Sequence, residues 1–589
     1  MNNRKILLIE AESFVDTGGW VVDQQFMDIM GSPFLLAHGL GEPVADAETV
    51  VQFPEIGKYR VWVRTRDWIA PWGVSGAPGR FQLSVNDRAI DTEFGTEGSE
   101  WHWQDGGSVQ IADRSVRLRL HDLTGCEGRC DAIVFSSDPD FVPPDSGQEL
   151  AAFRREALGL PEEPEHAGDF DLVVIGGGIA GICSAVSAAR LGLKVAFIQD
   201  RPVLGGNNSS EVRVWLGGKA NCEPYPRVGD IVSELEQERK AHYGPDNVAE
   251  LYEDEKKLAI VEDEENIMLF ACYRANDVEM DSDRITAVVA QNIITGHRIR
   301  CTGEWFADCT GDGCVGFMSG ADHDVTLNGH MGRCNNWNVI DTGSPSSFFS
   351  CPWAFDLSDK PFPGREDGEG QFSGKGILAL GGWYWESGFD RDPIAEGEYI
   401  RDTNFRAMYG AWNALKNVDK VYPNHKLNWS AYISGMRESR RILGDVVLTK
   451  DDIMNSVEFP DGCVATGWDI DLHFPHESYQ KGFEGDEFIS KAIFTKYPQP
   501  YWVPYRTLYS RNISNLFMAG RDISVTHEAL GAVRVMRTCG LMGEIVGMAA
   551  YLCRKNSTTP RGIYQEYLND LKALMEKGTD KAVKEIAHR

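Results

Sequence analysis

Three glycines at G-x-G-x-x-G spacing, Gly176, Gly178 and Gly181, are the residues of this chain whose type and spacing most clearly predict chemistry. Glycine permits a tight turn at the first position, close approach of a diphosphate at the second, and close packing of a helix on a strand at the third. A buried-strand pattern precedes them, and a helix rich in small residues follows. The first-turn N–H groups of that helix, at Ile179 and Ala180, are expected to face the phosphates. The segment therefore predicts a dinucleotide site.

Polar residues after the next predicted strand extend this site. Gln199 stands where such folds usually carry an acid that binds a ribose. Its carbonyl can accept one hydroxyl hydrogen bond but lacks the charge of a carboxylate. Asp200 follows it as a second candidate. The candidates in the turn beyond are Arg201, Gly205, Gly206, Asn207 and Ser210.

Three later segments carry further candidates. A predicted strand ends near Asp312, another runs into Asp522, and the run Thr526–Thr538 is followed by small residues that permit close helix packing. The N-terminus of the helix in that run could face the bound cofactor. The candidate cofactor residues in these segments are Thr310, Gly311, Asp312, Gly520, Arg521, Asp522, Arg534 and Val535, with Arg274 assigned beside them.

The order of these segments, from 169 to about 555, resembles the FAD-dependent oxidoreductase family of glutathione-reductase-like topology. The resemblance implies FAD, a Rossmann domain and an inserted substrate domain. It also implies that Asp522 binds the flavin ribityl chain, although an aspartate there can equally cap a helix. Gly311–Gly316 fits G-x-G-x-x-G by letter, but Gly320 interrupts the helix that should follow, so no second nucleotide site is expected.

Two histidines are candidates for the base that an alcohol oxidation needs, since a neutral imidazole accepts protons near pH 7. His527 lies in the glycine-rich motif and is slightly preferred. His473 lies in Trp468–Phe474, whose strict alternation places Asp471 and His473 on one face. That face would either roof a polar pocket over the flavin or lie in water.

Tyr505 and Arg506 complete the candidate catalytic set. They follow Pro504 in a segment that resembles the family's Ile-Pro-Tyr-Arg type of sequence. Their hydroxyl and guanidinium groups are expected to bind substrate hydroxyls or a carboxylate.

The N-terminal part predicts a separate all-β unit, because short alternating runs such as Tyr59–Thr65 are broken by glycine and proline turns. Ile9–Phe14 and Phe53–Arg60 resemble segments of carbohydrate-binding modules of the β-sandwich type. In such modules glutamates near the start, here Glu10 and Glu12, can hold calcium. Two surface acids on a strand are the alternative, and no metal is assigned.

Tryptophans are frequent in this unit. Flat indole rings suit the apolar faces of sugars, but they also fill cores and interdomain surfaces. The residues are Trp20, Trp62, Trp68, Trp72, Trp101 and Trp103.

The expected fold class is an α/β Rossmann-type FAD-binding domain with an inserted α+β substrate domain, preceded by an all-β, jelly-roll-like sandwich. The expected boundaries are 1–140 for the sandwich, 141–168 for a linker, 169–330 for the first FAD-binding part, 331–505 for the substrate domain, 506–555 for the second FAD-binding part, and 556–589 for a C-terminal helical tail.

Composition limits the partners. A net charge of −30 disfavours nucleic acid and anionic membrane surfaces. The chain offers no apolar run long enough to span a bilayer and no secretory signal at its start. Its 13 cysteines, an odd number, are typical of reduced thiols. We therefore expect a cytoplasmic protein, with the oligomeric state left open.

The sequence predicts oxidation of a hydroxyl of a carbohydrate or glycoside by hydride transfer to flavin N5. One alternative is a flavin-assisted eliminase that cleaves a polysaccharide after oxidising a ring hydroxyl. Another is a carbohydrate-binding protein whose flavin fold does not turn over.

Overall fold

The computed structural model describes residues 5–365 and 376–579. Its N-terminal module, residues 5–140, consists of two four-stranded antiparallel sheets, ordered β1-β11-β5-β8 and β4-β9-β6-β7, and a three-stranded sheet ordered β10-β3-β2. The elements are β1 (Ile6–Glu10), β2 (Val21–Asp23), α1 (Met27–Met30), β3 (Phe34–Ala37), β4 (Ala47–Gln52), β5 (Gly57–Thr65), β6 (Phe81–Val85), β7 (Arg88–Phe94), β8 (His102–Ile111), β9 (Ser115–Asp122), β10 (Gly128–Cys130) and β11 (Ala132–Ser136).

Successive side chains of β5 point to opposite faces of its sheet, and both faces are buried. Tyr59, Val61 and Val63 join the core shared by the two four-stranded sheets. Trp62 is also buried, on the opposite face, where its Nε1 donates to the Phe141 carbonyl. A sheet that is apolar on both faces requires a cover on its outer side as well.

Residues 141–168, which were expected to form a linker, provide this cover instead. The segment forms α2 (Gly147–Leu158) and the start of β12 (Glu165–Ile175). Leu150 of α2 packs with Trp62 and Trp103 in one buried cluster. The prolines and acids of the segment suggested a loop, but its apolar residues match the outer face of the sheet.

The nucleotide-type fold centres on a seven-stranded sheet ordered β14-β13-β12-β17-β16-β15, with the later strand Leu516–Met518 pairing parallel to β17. Strands β12, β13, β14 and β17 run parallel, while β15 and β16 are antiparallel. The remaining elements are α3 (Ile179–Arg190), β13 (Val195–Gln199), α4 (Asp230–Glu234), α5 (Asp254–Glu262), β14 (Ile267–Ala271), β15 (Tyr273–Asp281), β16 (Arg284–Asn292), β17 (Arg298–Asp308) and α6 (Cys314–Met318).

The region between β17 and that last strand is made of short strand pairs around a long helix. Its aromatic core includes Trp353, Tyr409 and Trp412, and it also takes in Trp68 and Ile69 of the N-terminal module. The elements are β18 (His323–Asp324), β19 (Arg333–Cys334), β20 (Trp337–Asp341), β21 (Glu386–Ser387), α7 (Gly397–Asn413), β22 (His425–Ser430), β23 (Gly435–Met436), β24 (Arg441–Ile442), α8 (Lys450–Met454), β25 (Gly462–Ala465), β26 (Ile470–Pro475), β27 (Ser490–Thr495) and β28 (Trp502–Pro504).

The C-terminal part returns to the nucleotide fold. It comprises β29 (Leu516–Met518), α9 (His527–Val533), α10 (Met536–Asn556), α11 (Pro560–Glu566) and α12 (Leu568–Lys577). The small residues of α10 permit close packing on α3, because a Cβ at Gly543 would stand 2.1 Å from the Ala180 carbonyl oxygen. The predicted helical tail is formed by α11 and α12, and its residues 580–589 lie outside the described part.

Two sequence-based expectations concern the whole chain. All 13 cysteines are free. In the described ranges, no helix is long and apolar enough to cross a membrane.

Candidate functional site

A cavity opens at the carboxyl edge of the parallel strands, where β12, β13 and β17 end. This edge is where nucleotides bind in open α/β sheets. The sequence-predicted residues that line it are Gly176, Gly178, Ile179, Ala180, Gln199, Asp200, Arg201, Gly205, Gly206, Asn207, Arg274, Thr310, Gly311, Asp312, Gly520, Arg521 and Arg534.

The glycine motif has the geometry that its spacing predicts. Gly176 has a φ of +102°, and a Cβ there would stand 2.4 Å from the Cys309 carbonyl oxygen. At Gly178 the nearest atom to a Cβ is 4.0 Å away, so its Cα faces open space in the cavity. No side chain caps α3, whose N-cap is Gly178. This open cradle at a helix N-terminus fits a diphosphate.

Four predicted cofactor residues do not line the cavity. Asp522 is described below, and each of the other three has another role. A Cβ at Gly181 would stand 1.8 Å from the Gly176 carbonyl oxygen, so this glycine allows α3 to pack on its strand. The Ser210 backbone N–H donates to Asp254. Val535 is the N-cap of α10.

Gln199 and Asp200, at the end of β13, make different contacts. The Gln199 amide oxygen accepts from the Gly177 N–H at 2.8 Å, and its amide nitrogen donates to the Val203 carbonyl at 2.9 Å. Gln199 therefore stabilises the backbone of the glycine turn that is expected to bind the diphosphate. Asp200 lies 2.9 Å from Arg274 and supplies a carboxylate at this end of the cavity.

Two arginines provide cationic groups on the cavity wall. Arg521 has an Nη1 without a partner, and its Nη2 lies 3.4 Å from Asp312. Arg333 is buried with an unpartnered Nε, and burial lowers its pKa to about 10. None of the ion pairs formed by the described residues includes Arg333. A buried cation without a protein anion, as Arg333 is, fits a diphosphate ligand.

Asp522, expected to hold the ribityl chain, is not on the cavity wall. Gly520 and Arg521 line the cavity, while Asp522 is fully buried next to Asp308. Burial and the Asp308 carboxylate raise the pKa of Asp522 well above its usual range. At this point of the chain, Arg521 and not Asp522 lies on the cavity wall.

The structure contradicts the roles expected for Tyr505 and Arg506. Tyr505 is fully buried, and its hydroxyl donates to the Pro560 carbonyl at 2.9 Å. Arg506 forms two hydrogen bonds of 2.9 Å to Asp461. Both side chains hold the turn after β28 to its surroundings, and neither lines the cavity.

His473 belongs to a buried polar cluster next to the cavity. Its Nδ1 lies 2.6 Å from Glu386 Oε2, and its Nε2 lies 3.3 Å from both Asp471 and Arg534. Arg534 lines the cavity and therefore connects it to this cluster. Since Asp471 and His473 are buried, the polar face of β26 does not lie in water.

The Glu386 carboxylate is ionised in that cluster. Burial raises the pKa of Glu386, but the Arg437 guanidinium and His473 outweigh burial and hold it at about 2. A carboxylate hydrogen-bonded to one ring nitrogen of a histidine orients the ring and favours proton uptake at the other nitrogen.

His527 forms a similar contact elsewhere. Its Nδ1 lies 2.8 Å from Glu438 Oε2, and Glu438 also pairs with Arg441 at 2.6 Å. Burial raises the pKa of Glu438, but its hydrogen bond to His527 and the charge of Arg441 lower it overall. No residue of this group lines the cavity.

Three half-buried indoles surround the His473 cluster. The Trp383 ring lies 5.1 Å from the His473 ring, and Trp468 Nε1 donates to Asp471 at 3.2 Å. Trp215 packs against Trp468 at 6.2 Å. Half-buried rings beside polar groups can contact both the apolar C–H faces and the hydroxyl groups of a sugar.

The six tryptophans of the N-terminal module serve its packing instead. Trp20 and Trp68 are buried in cores, and Trp101 Nε1 donates to Glu398 of α7 at 3.0 Å. Trp72 contacts Tyr399 of the same helix at 4.3 Å. Trp62 and Trp103 pack under α2.

Glu10 and Glu12 are not surface acids. Both are buried, and their carboxylates lie within 4.8 Å of Asp131. Arg154 of α2 pairs with Asp131 and lies 3.6 Å from Glu10. Burial raises the pKa of Glu10 to about 7.

Sequence patterns missed part of the cavity wall. One group comes from the N-terminal module and another from the region after β18, and neither carries a nucleotide motif. The missed residues include Gln24, Gln25, Phe26, Asp28, Tyr273, Arg333, Ile394, Ile433, Ser434, Met436, Met536 and Cys539.

A comparison with protein families agrees with a nucleotide cofactor site in this cavity. A family model described as FAD dependent oxidoreductase matches residues 171–341 and 383–575, more than half of the chain. No curated protein matches in sequence.

Similar solved structures have low TM-scores. A geranylgeranyl bacteriochlorophyll reductase-like protein from Thermoplasma acidophilum is 12% identical with a TM-score of 0.33, covering 71% of this chain and 83% of that one. The Mycobacterium smegmatis Sdh1 complex in the apo form is 12% identical with a TM-score of 0.32, covering 67% and 69%. A family 35 carbohydrate binding module from Clostridium thermocellum is 14% identical with a TM-score of 0.19, covering 22% and 96%. TM-scores this low carry no argument about function.

Proposed function

This chain belongs to the FAD dependent oxidoreductase family, and from that premise we propose that it oxidises a hydroxyl group of a carbohydrate or glycoside. When bound, FAD supplies a two-electron acceptor. The protein must then bind the sugar next to the flavin end of the cavity and remove the hydroxyl proton.

The observation that carries the proposal is the position of His473 between Glu386 and Arg534. Glu386 Oε2 holds Nδ1 at 2.6 Å, while Nε2 faces Arg534, which lines the cofactor cavity. We therefore assign to His473 the role of taking the hydroxyl proton. His527 has a comparable carboxylate contact but lacks this connection to the cavity.

The surroundings of His473 support a sugar as the substrate. The Trp383 ring lies 5.1 Å from the His473 ring, and Trp468 donates its Nε1–H to Asp471, which pairs with Arg534. Aromatic faces contact the C–H surfaces of sugars, while carboxylates and guanidinium groups bind their hydroxyls. The tryptophans of the N-terminal module do not support the proposal, because they are used in packing.

The test is anaerobic reduction of the flavin by a panel of glycosides and free sugars. We expect the flavin absorbance to bleach with at least one sugar. The variant His473→Asn should bleach at least a hundredfold more slowly, as expected for loss of a general base. His527→Asn and the exposed His323→Asn should bleach at nearly the wild-type rate.

Two results would contradict the proposal. One is a flavin that photoreduces but is bleached by no sugar, and the other is a His473→Asn variant that bleaches at the wild-type rate. Product analysis separates oxidation from elimination, since a keto-sugar indicates the former and an unsaturated or cleaved glycan the latter.

A further inference from the structure

The N-terminal module reaches the cofactor cavity through one short segment. Residues 24–28, between β2 and β3 and here called the cover segment, place Gln24, Gln25, Phe26 and Asp28 on the cavity wall. The rest of that wall comes from the nucleotide fold and the region after β18. The cavity is therefore completed by a part of the chain that lies far from any nucleotide motif.

Specific contacts hold the cover segment on both sides of the cavity. On one side, Gln25 donates to the Tyr432 carbonyl at 3.0 Å and accepts from the Ser434 N–H at 2.7 Å. On the other side, Asp28 forms two hydrogen bonds with Arg274, of 3.1 Å to Nε and 2.8 Å to Nη2. The segment thus bridges the region after β18 and strand β15.

Arg274 links the cover segment to the nucleotide end of the cavity. Asp28 holds Nε and Nη2, and Asp200 holds Nη1 at 2.9 Å. Three of its nitrogens are thereby fixed, so the plane of the guanidinium is set before any ligand arrives. Arg274 also lines the cavity beside Tyr273, near the end of β13, where this type of fold binds the ribose of a nucleotide.

We propose that the cover segment is part of the FAD site, and that Asp28 is a positioning residue that orients Arg274 for the adenosine half of FAD. A planar guanidinium recognises nucleotides well because it can hydrogen-bond at its edge and stack with its face. Fixing its orientation in advance removes an ordering cost from binding. Cofactor retention then depends on a contact between the N-terminal module and the nucleotide fold.

Other contacts keep the module docked when this one is weakened. Arg129 of the module is fully buried and forms hydrogen bonds of 2.9 and 2.7 Å to Asp402 of α7. An Asp28→Asn variant is therefore expected to fold with the module in place. This separates loss of Arg274 orientation from loss of the module.

The test measures affinity of the apoprotein for FAD and for FMN, which lacks the adenosine half. In Asp28→Asn we expect FAD to bind about tenfold more weakly, because Arg274 is no longer held in one orientation and must be ordered when the cofactor binds. The affinity for FMN should stay within twofold of wild type. Asp105→Asn, which removes an exposed partner of Arg60 in the same module, should change neither affinity.

Arg274→Lys gives a second measurement should Asp28→Asn fold poorly. Lysine keeps the charge but loses the planar group, so FAD affinity should again fall while FMN affinity does not. Unchanged FAD affinity in either folded variant would overturn the proposal. An equal fall for FAD and FMN would also overturn it, since that result indicates a general disturbance of the cavity. Neither measurement depends on the identity of the substrate.

Discussion

Buried charges decide which candidate residues matter at the residue scale. Glu386 has no exposed surface, yet it stays ionised because Arg437 lies 3.4 Å away and His473 lies 2.6 Å away. Arg506 illustrates the opposite case, since its charge is fully used by Asp461. Residue type alone suggested a substrate-binding role for Arg506, and only its partner shows that it is structural.

Replacing Glu386 by glutamine tests this charge cluster. Glu386→Gln leaves Arg437 and His473 without their carboxylate in a buried place, which is expected to lower the free energy of unfolding by about 2–4 kcal/mol at pH 7. Urea unfolding measures the change. Glu93→Gln is the control, because Glu93 and Arg80 form an exposed pair, and it should cost under about 1 kcal/mol.

The same carboxylate predicts a dependence on pH. The folded-state pKa of Glu386, about 2, lies below its ordinary value of 4.5. Its stabilising contribution is therefore complete above about pH 4.5 and is lost as the pH falls toward 2. The difference between wild type and Glu386→Gln should shrink between pH 5 and pH 3. A difference that stays constant over that range would contradict the assignment.

At the scale of elements, the contact between α3 and α10 helps to shape the cavity at the carboxyl edge of the sheet. Gly543 and Gly547 bring the two helices together, with a Cβ at Gly547 standing 2.6 Å from that of Ser187. The sequence predicted one glycine-rich helical run, but the chain leaves the helix at Arg534 and Val535 before α10 begins. This break puts Arg534 and Met536 on the cavity wall.

Gly543→Ala separates packing from helix propensity. Propensity alone predicts a gain of about 1 kcal/mol for alanine in a helix interior. We expect a loss of about 1–3 kcal/mol instead, because the added methyl meets the backbone of Ala180 and must push the helices apart. Thermal unfolding of the apoprotein gives the sign, and Lys555→Ala at the exposed end of α10 is the control. A stabilised Gly543→Ala protein would show that the helices are not in this contact.

For the whole molecule, the N-terminal module is joined to the rest through buried charges. Glu398 of α7 receives hydrogen bonds from Arg66, Arg129 and Trp101 of the module. Burial raises the pKa of Glu398, but the arginines outweigh it and hold the value at about 2. A module that was only tethered by a linker would not need such a network.

Arg129→Met should loosen this joint. It leaves Asp402 and Glu398 partly unpaired in a buried place, which typically costs about 3–5 kcal/mol. Limited proteolysis of wild type is expected to leave the segment 141–168 uncut, whereas the variant should release a fragment near the size of the module. Arg80→Met, on the exposed surface, should behave as wild type. Release of the module from wild type at the same rate would contradict a docked arrangement.

The sequence by itself determined the diphosphate turn, the cofactor class and the polar face of β26. The turn and the polar face depend on residues that are close along the chain: the spacing of Gly176, Gly178 and Gly181, and the alternation around His473. Local backbone geometry is enough to define these two features. The cofactor class follows instead from the resemblance of the order of segments to a family of flavoproteins.

Only the tertiary structure decided which distant side chains reach the cavity. It brought Asp28 and Arg333 to the wall, moved Asp522 into the interior, and used Tyr505 and Arg506 for packing. The physical reason is that a side chain's role depends on its burial and its partners. Partners that are hundreds of residues apart, such as Gln25 and Tyr432, leave no periodic signal in the sequence.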